Sequence, residues 1–177
     1  MQRFYDGARV CFVGDSLTAQ NQFLPRIIDC YRRQFPRERI EFINCGVAGG
    51  TAQCVLDYLE DDVLIHRPTH AVVSFGVNDS WRWGLQFPSD QKRYEHLLCA
   101  YETFQRSLTA LCDRLAECGV QVILGTPAPY AEYQASDEAA YPGGYALLAG
   151  YADYVRMLAR EKHLPLCDYH AYLTRQM

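Results

Sequence analysis

No run in this 177-residue chain approaches the roughly 18 consecutive apolar residues of a membrane span, so no membrane partner is expected. The opening stretch Met1–Gly7 leads almost directly into the first apolar segment. It leaves no room for the charged, apolar and cleavage regions of a secretory leader, and the chain reads as cytoplasmic. An excess of positive charge is also lacking. Seventeen Lys and Arg against 21 Asp and Glu give a net charge of −4 and a pI near 5.7, without the basic footprint that nucleic acid requires. Cysteine is present eight times but never as Cys-x-x-Cys. A metal site or disulfide framework is disfavoured, and the cysteines read as reduced small hydrophobes. Internal repeats, low-complexity tracts and linkers are missing too. The expectation is one domain, residues 1–177, large enough to bury roughly 70% of its unfolded surface around a single core.

What is present is alternation. Five apolar runs of strand length occur at Arg9–Val13, Ile40–Asn44, His70–Phe75, Val120–Gly125 and Leu164–Asp168. Between them lie segments with helical spacing. Pro25–Phe35 carries Ile27, Ile28 and Tyr31, and Thr51–His66 carries Val55, Tyr58, Leu59, Val63 and Ile65. The long stretch Asp90–Cys118 places Tyr94, Leu97, Leu98, Tyr101, Phe104, Leu108, Leu111 and Leu115 on one face, with Gly119 as its stop. A further helix is expected over Gly144–Lys162, presenting Leu147, Leu148, Tyr151, Tyr154, Val155 and Leu158. Strands alternating with such helices predict parallel pairing through right-handed crossovers, hence an α/β fold built as a three-layer α/β/α sandwich. Residues 126–143, with Pro127, Pro129, Pro142 and Tyr130, Tyr133 and Tyr141, form a longer connection than compact domains usually hold, which suggests a lid over a site.

If all strands run parallel, their carboxyl ends share one edge, where ligands of open α/β sheets bind. The first strand delivers Gly14-Asp15-Ser16-Leu17 there. Ser16 is a candidate nucleophile, and the alternative is that Asp15 and Ser16 simply cap the next helix. The second strand delivers Asn44 to Thr51, with Gly46, Gly49 and Gly50, and the third delivers Gly76-Val77-Asn78-Asp79.

Three such blocks in order, each after an expected strand, resemble the GDSL esterase/lipase group of the SGNH hydrolases, over nearly the whole chain. The resemblance implies a five-stranded parallel sheet in the order 2-1-3-4-5. It also implies a serine esterase acting on a small, possibly acetyl, ester without metal or organic cofactor. It makes Ser16 the nucleophile, and the backbone N–H groups of Ser16 and Gly49 with the side-chain amide of Asn78 the oxyanion donors. Gly49 is chosen because the family's oxyanion glycine stands five residues after the block's Asn, here Asn44. Gly46 and Gly50 are then expected to be turn residues with unusual backbone angles.

The pattern breaks at the base. The family supplies its histidine from a late Asp-x-x-His block, and here Asp168 and His170 do not match that spacing. His170 lies at the correct edge, but a fifth strand stands three spacings from the first, about 14 Å at ~4.8 Å each. The block and the last helix therefore read as absent, and the uncovered face could favour self-association into a homo-oligomer. Trp81, Arg82 and Trp83, directly after the third block, either wall the substrate pocket or pin the loop to its neighbour. The rival from another class is a catalytically silent ligand-binding protein using the same crevice. A nucleotide-binding flavodoxin-like domain is disfavoured, because Asp15 adds negative charge where phosphate would sit.

Overall fold

A computed structural model describes residues 3–132 and 141–177 of the chain. Its centre is a parallel sheet of β1 (Arg9–Gly14), β2 (Glu41–Gly46), β3 (His70–Ser74), β4 (Gln121–Gly125) and β5 (Leu166–Cys167), in the order β2-β1-β3-β4-β5. Parallel register pairs Gly14 with both Gly46 and Ser74, so the first three strands end side by side. The fold expected from the sequence is the one observed.

Alternation along β1 divides the core. Cys11 and Val13 face one side, with Ala71, Val73, Val122 and Leu124 of the other strands. That side is packed by α3 (Ala52–Asp57), α4 (Leu59–Asp62), α5 (Asp90–Glu117) and α6 (Gly144–Glu161). Val10 and Phe12 face the other side, against α2 (Leu24–Gln34). The short helices α1 (Ser16–Ala19) and α7 (Tyr169–Thr174) follow β1 and β5 directly. Cys11, Cys45 and Cys112 are buried within the first core, behaving as small hydrophobes.

Local chemistry explains where the elements depart from the periodic pattern. The expected helix over 51–66 breaks into α3, α4 and a 3-10 turn at Leu64–His66, because Tyr58 leaves the helical region at φ −116° and ψ 20°. Glu60, Asp61 and Asp62 then favour a fresh helix start, where the macrodipole is positive. The pieces still deliver Val55, Leu59 and Val63 to the core. In α5, capped by Ser89 and closed at Gly119, the inward stripe begins only at Ala100. Tyr94 and Leu98, expected on that stripe, are exposed, and the first turns of α5 meet the 82–87 segment through His96 instead. Strand β5 is shorter than expected, since Pro165 has no N–H to offer a ladder.

The two faces of the sheet are unequally covered. Beside α2, over β3, β4 and β5, lies an open groove of about 670 Å³ lined by Ile27, Val72, Ile123, Leu166 and Tyr169. A second cavity of about 300 Å³ continues it toward the carboxyl edge, between Phe23, Val77 and Leu173. Among the described residues no helix is long and apolar enough to cross a membrane.

Candidate active site

The turn after β1 is built by Asp15. In an extended conformation at the N-cap of α1, it accepts the Leu17 N–H at 2.9 Å through its carboxylate. The cap expected for this pair is therefore carried by Asp15. Ser16 becomes the first residue of α1, half-buried at the crevice edge. Its own N–H is one of the donors that a helix start leaves without an intrahelical partner.

The turn after β2 is stitched to the first. Asn44 donates its side-chain amide to the Thr18 carbonyl at 2.9 Å and accepts the Gly46 N–H at 2.9 Å, while the Val47 N–H reaches the Gly14 carbonyl at 2.9 Å. The glycines divide their work differently from the expectation. Gly46 and Gly50 do not carry positive φ; a Cβ on Gly46 would stand 2.3 Å from the Ala19 nitrogen, so its bareness lets α1 sit against the end of β2. Gly49 is the residue that needs the left-handed region, at φ +75°, with open space around its missing Cβ.

The turn after β3 is held by a carboxylate that sequence reasoning treated only as a neighbour of Asn78. Asp79, 5% exposed, accepts the Gly76 N–H at 2.9 Å on one oxygen and the Ala52 N–H at 2.8 Å on the other. Asn78 then donates its side-chain amide to the Gly50 carbonyl at 3.0 Å, beside Gly49. Ser16, Gly49 and Asn78 thus stand on three turns tied to one another by named hydrogen bonds at the ends of β1, β2 and β3.

Burial sets the electrostatics. It pushes the Asp15 carboxyl upward, opposed by the Leu17 N–H and by the nearby Arg82 charge. It pushes Asp79 up to about 6, against the pull of the Ala52 and Gly76 N–H groups and with a further push from Asp15. Arg82 donates to the Val77 carbonyl at 3.0 Å and lies over the rings of Tyr141 and Tyr130. The remainder of the expected lid, residues 133–140 with Tyr133, lies outside the described residues. Trp81, at φ 42°, stacks on Trp83 at 6.2 Å, and both rings meet His96 of α5. This is the pinning arrangement, although Trp83 keeps 45% of its surface open.

His170 is placed elsewhere. It lies in α7, donates its backbone N–H to the Thr126 hydroxyl at 2.8 Å, and packs its ring against Tyr145. Thr126 follows β4, two strands from β1. Its Nε2 is buried without a partner, and burial, aided by the Arg156 charge, lowers its pKa. Among the described residues no hydrogen bond joins any histidine to Ser16. Asp168 caps α7 at Ala171 and forms a two-point pair with Arg156, which holds its carboxyl down to about 2. Among the described residues no cluster of three metal-ligating side chains occurs.

Against known proteins, residues 12–176 match the model of the GDSL-like Lipase/Acylhydrolase family. No curated protein sequence matches. Among solved structures, the chain is similar to BT4096, a gut microbial diltiazem-metabolizing enzyme, with a TM-score of 0.86 and 24% identity. That alignment covers 97% of this chain but 38% of BT4096, so this chain spans less than two-fifths of that protein. A catalytic mutant of Axe2, an acetylxylan esterase from Geobacillus stearothermophilus, aligns with a TM-score of 0.76 at 19% identity, over 96% of this chain and 80% of that one. LAE5, an alpha/beta hydrolase enzyme from the metagenome of Lake Arreo, Spain, gives a TM-score of 0.78 at 22% identity, over 98% and 82%.

Proposed function

The chain belongs to the GDSL-like lipase/acylhydrolase family, and from that premise we propose that it serves ester hydrolysis, with Ser16 as nucleophile toward a small acyl ester. The observation that carries this reading is the convergence of three hydrogen-bonded turns. Asn44 and Val47 bind the second turn to the first, and Asn78 binds the third to the second. Attack by Ser16 on a carbonyl carbon places negative charge on the carbonyl oxygen. The backbone N–H groups of Ser16 and Gly49 and the side-chain amide of Asn78 meet that charge, each donor being worth ~2.7–4 kcal/mol. Because Asn78 spends one N–H on Gly50, its other N–H is the one offered to the oxyanion. The acetylxylan substrate named for the Axe2 neighbour makes an acetylated saccharide a suitable first test.

A nucleophilic hydroxyl requires a base within hydrogen-bond reach of ~3 Å. His170, anchored beside Thr126, does not occupy that place among the described residues. Turnover therefore depends on a base brought to Ser16 from elsewhere. The same observation favours the second reading, in which the crevice binds an ester or its product without turning it over.

A fluorophosphonate serine probe followed by intact mass separates the two. A single adduct on the wild type, lost in Ser16→Ala, is the outcome expected of the esterase. Hydrolysis of acyl esters that persists undiminished in Ser16→Ala removes Ser16 from the mechanism. Stabilisation by ligand with neither adduct nor turnover supports the silent binder.

A further inference from the structure

Asp79 reaches both sides of the donor cluster. One carboxylate oxygen accepts the N–H of Ala52, the first residue of α3, three residues beyond Gly49. The other accepts the N–H of Gly76, two residues before Asn78. Its backbone carbonyl accepts the Tyr151 hydroxyl of α6 at 3.3 Å, which fixes the turn from the helical layer. Asn78 adds the direct link to Gly50. No other side chain accepts from both the second and the third turn among the described residues.

We infer that Asp79 is a positioning residue for the oxyanion donors, holding Gly49 and Asn78 in register through its two-sided acceptance of the Ala52 and Gly76 N–H groups. The inference rests on the esterase reading for its catalytic meaning, but the geometric link is independent of any turnover. Two acceptor oxygens are required at once. An ionised carboxylate supplies them; a protonated carboxyl turns one into a hydroxyl that has a proton to place, and the N–H facing it is left with a much weaker acceptor. Burial sets that change near pH 6. The groups facing Asp79 are the Asp15 carboxyl from the first turn, whose charge adds to the push, and the Tyr151 phenol from α6, itself held above its ordinary value. Arg82 acts on Asp15 rather than on Asp79 directly. Asp79→Asn keeps the shape and replaces one acceptor with an NH2 group facing a backbone donor, a permanent mimic of the protonated form.

The test is a proton–nitrogen NMR titration from pH 4.5 to 8, following the Ala52, Gly76 and Gly49 backbone amides and the Asn78 side-chain amide. In the wild type all four are expected to shift together with a midpoint near 6; in Asp79→Asn that shared transition should be gone, leaving only what the Asp15 carboxyl contributes. In parallel, kcat for an acyl ester in Asp79→Asn should fall roughly tenfold or more with KM nearly unchanged, because transition-state donors are displaced while ground-state binding persists. If Ala52 and Gly76 titrate while Gly49 and Asn78 stay still, Asp79 merely holds a turn and the inference is overturned. An unchanged kcat in an active enzyme overturns it equally. A wild type without turnover in which all four signals move together sinks the esterase reading and leaves the positioning link supported. Should Asp79→Asn fail to fold, the wild-type titration decides alone.

Discussion

Gly46→Ala tests whether the close approach of α1 to the end of β2 is what places Ser16. The new Cβ would lie 2.3 Å from the Ala19 nitrogen, 2.7 Å from the Thr18 carbonyl carbon and 2.8 Å from the Ala19 Cα. Ordinary contacts between such atoms are ~3.5–4 Å, so the backbone must give by about 1 Å. Every atom met is main chain of α1, the element that begins with Ser16, and none can rotate away. Overpacking of this kind costs about 1–3 kcal/mol. At roughly 2–4 °C of Tm per kcal/mol for a chain of this size, Tm should fall by roughly 2–12 °C. A displacement of ~1 Å at a nucleophile costs on the order of a hundredfold in rate. Gly49→Ala is the control. Its Cβ meets nothing within 4 Å, but φ +75° places an L-residue in the left-handed region, at about 1–2 kcal/mol. Both variants should therefore lose stability in thermal melts. Only Gly46→Ala should lose roughly a hundredfold in fluorophosphonate labelling of Ser16, with Gly49→Ala retaining most of it because its backbone N–H is still present. Equal labelling of the two variants at unequal Tm refutes the positional argument, and an undisturbed melt for Gly46→Ala refutes the steric one.

Asn78→Ala removes the side chain proposed as an oxyanion donor and its bond to the Gly50 carbonyl; kcat should drop roughly a hundred- to a thousandfold. Chemical melts should show a stability loss of only ~1 kcal/mol, the worth of one partly buried hydrogen bond. At the far end of the sheet, Arg156 holds Asp168 down to about 2 from an ordinary 3.8, so this carboxylate contributes stability above the higher value, lost as pH falls through the lower one. With both side chains about a quarter to a third exposed, solvent screening reduces the contribution to ~1 kcal/mol. Urea melts of Arg156→Ala should accordingly differ from wild type at pH 5, and the gap should close toward pH 2; a gap that widens on acidification contradicts the assignment.

The periodic features are legible in the sequence because they are local. Alternation in Val10–Val13 and the spacing of Phe104, Leu108, Leu111 and Leu115 each report one buried face, and parallel pairing follows from their alternation. Ser16, Gly49 and Asn78 were placed at one edge for the same reason, since a strand's end is read from its own residues. Bonds between turns were not legible. Nothing in Asp79 itself says that Ala52 lies opposite its second oxygen, because that depends on the register between β2 and β3, which are not even neighbours in the sheet. The glycines show the same limit: Gly46 looks like a turn residue until α1 is seen against it. Helix breaks were missed where a single residue, Tyr58, takes a non-helical angle without a Gly or Pro to announce it.

The proposed donors follow β2, β1 and β3, three adjacent strands whose turns are joined by hydrogen bonds over short distances. His170, which the sequence places at the same edge, belongs to the β4–β5 half, where Thr126 fixes its backbone and the Asp168–Arg156 pair fixes its helix. Rotating its side chain cannot close two strand spacings, about 10 Å at ~4.8 Å each. Recruiting it would mean dismantling the α7 cap, with the loss of the Asp168–Ala171 bond and the buried seat of the ring. The turns carrying the proposed donors are therefore tied together independently of the half of the sheet that carries His170. A phosphonate or boronate that mimics the tetrahedral intermediate should engage Ser16 only where a base is supplied, whereas the Ala52, Gly76, Gly49 and Asn78 signals should report an intact donor cluster in either case.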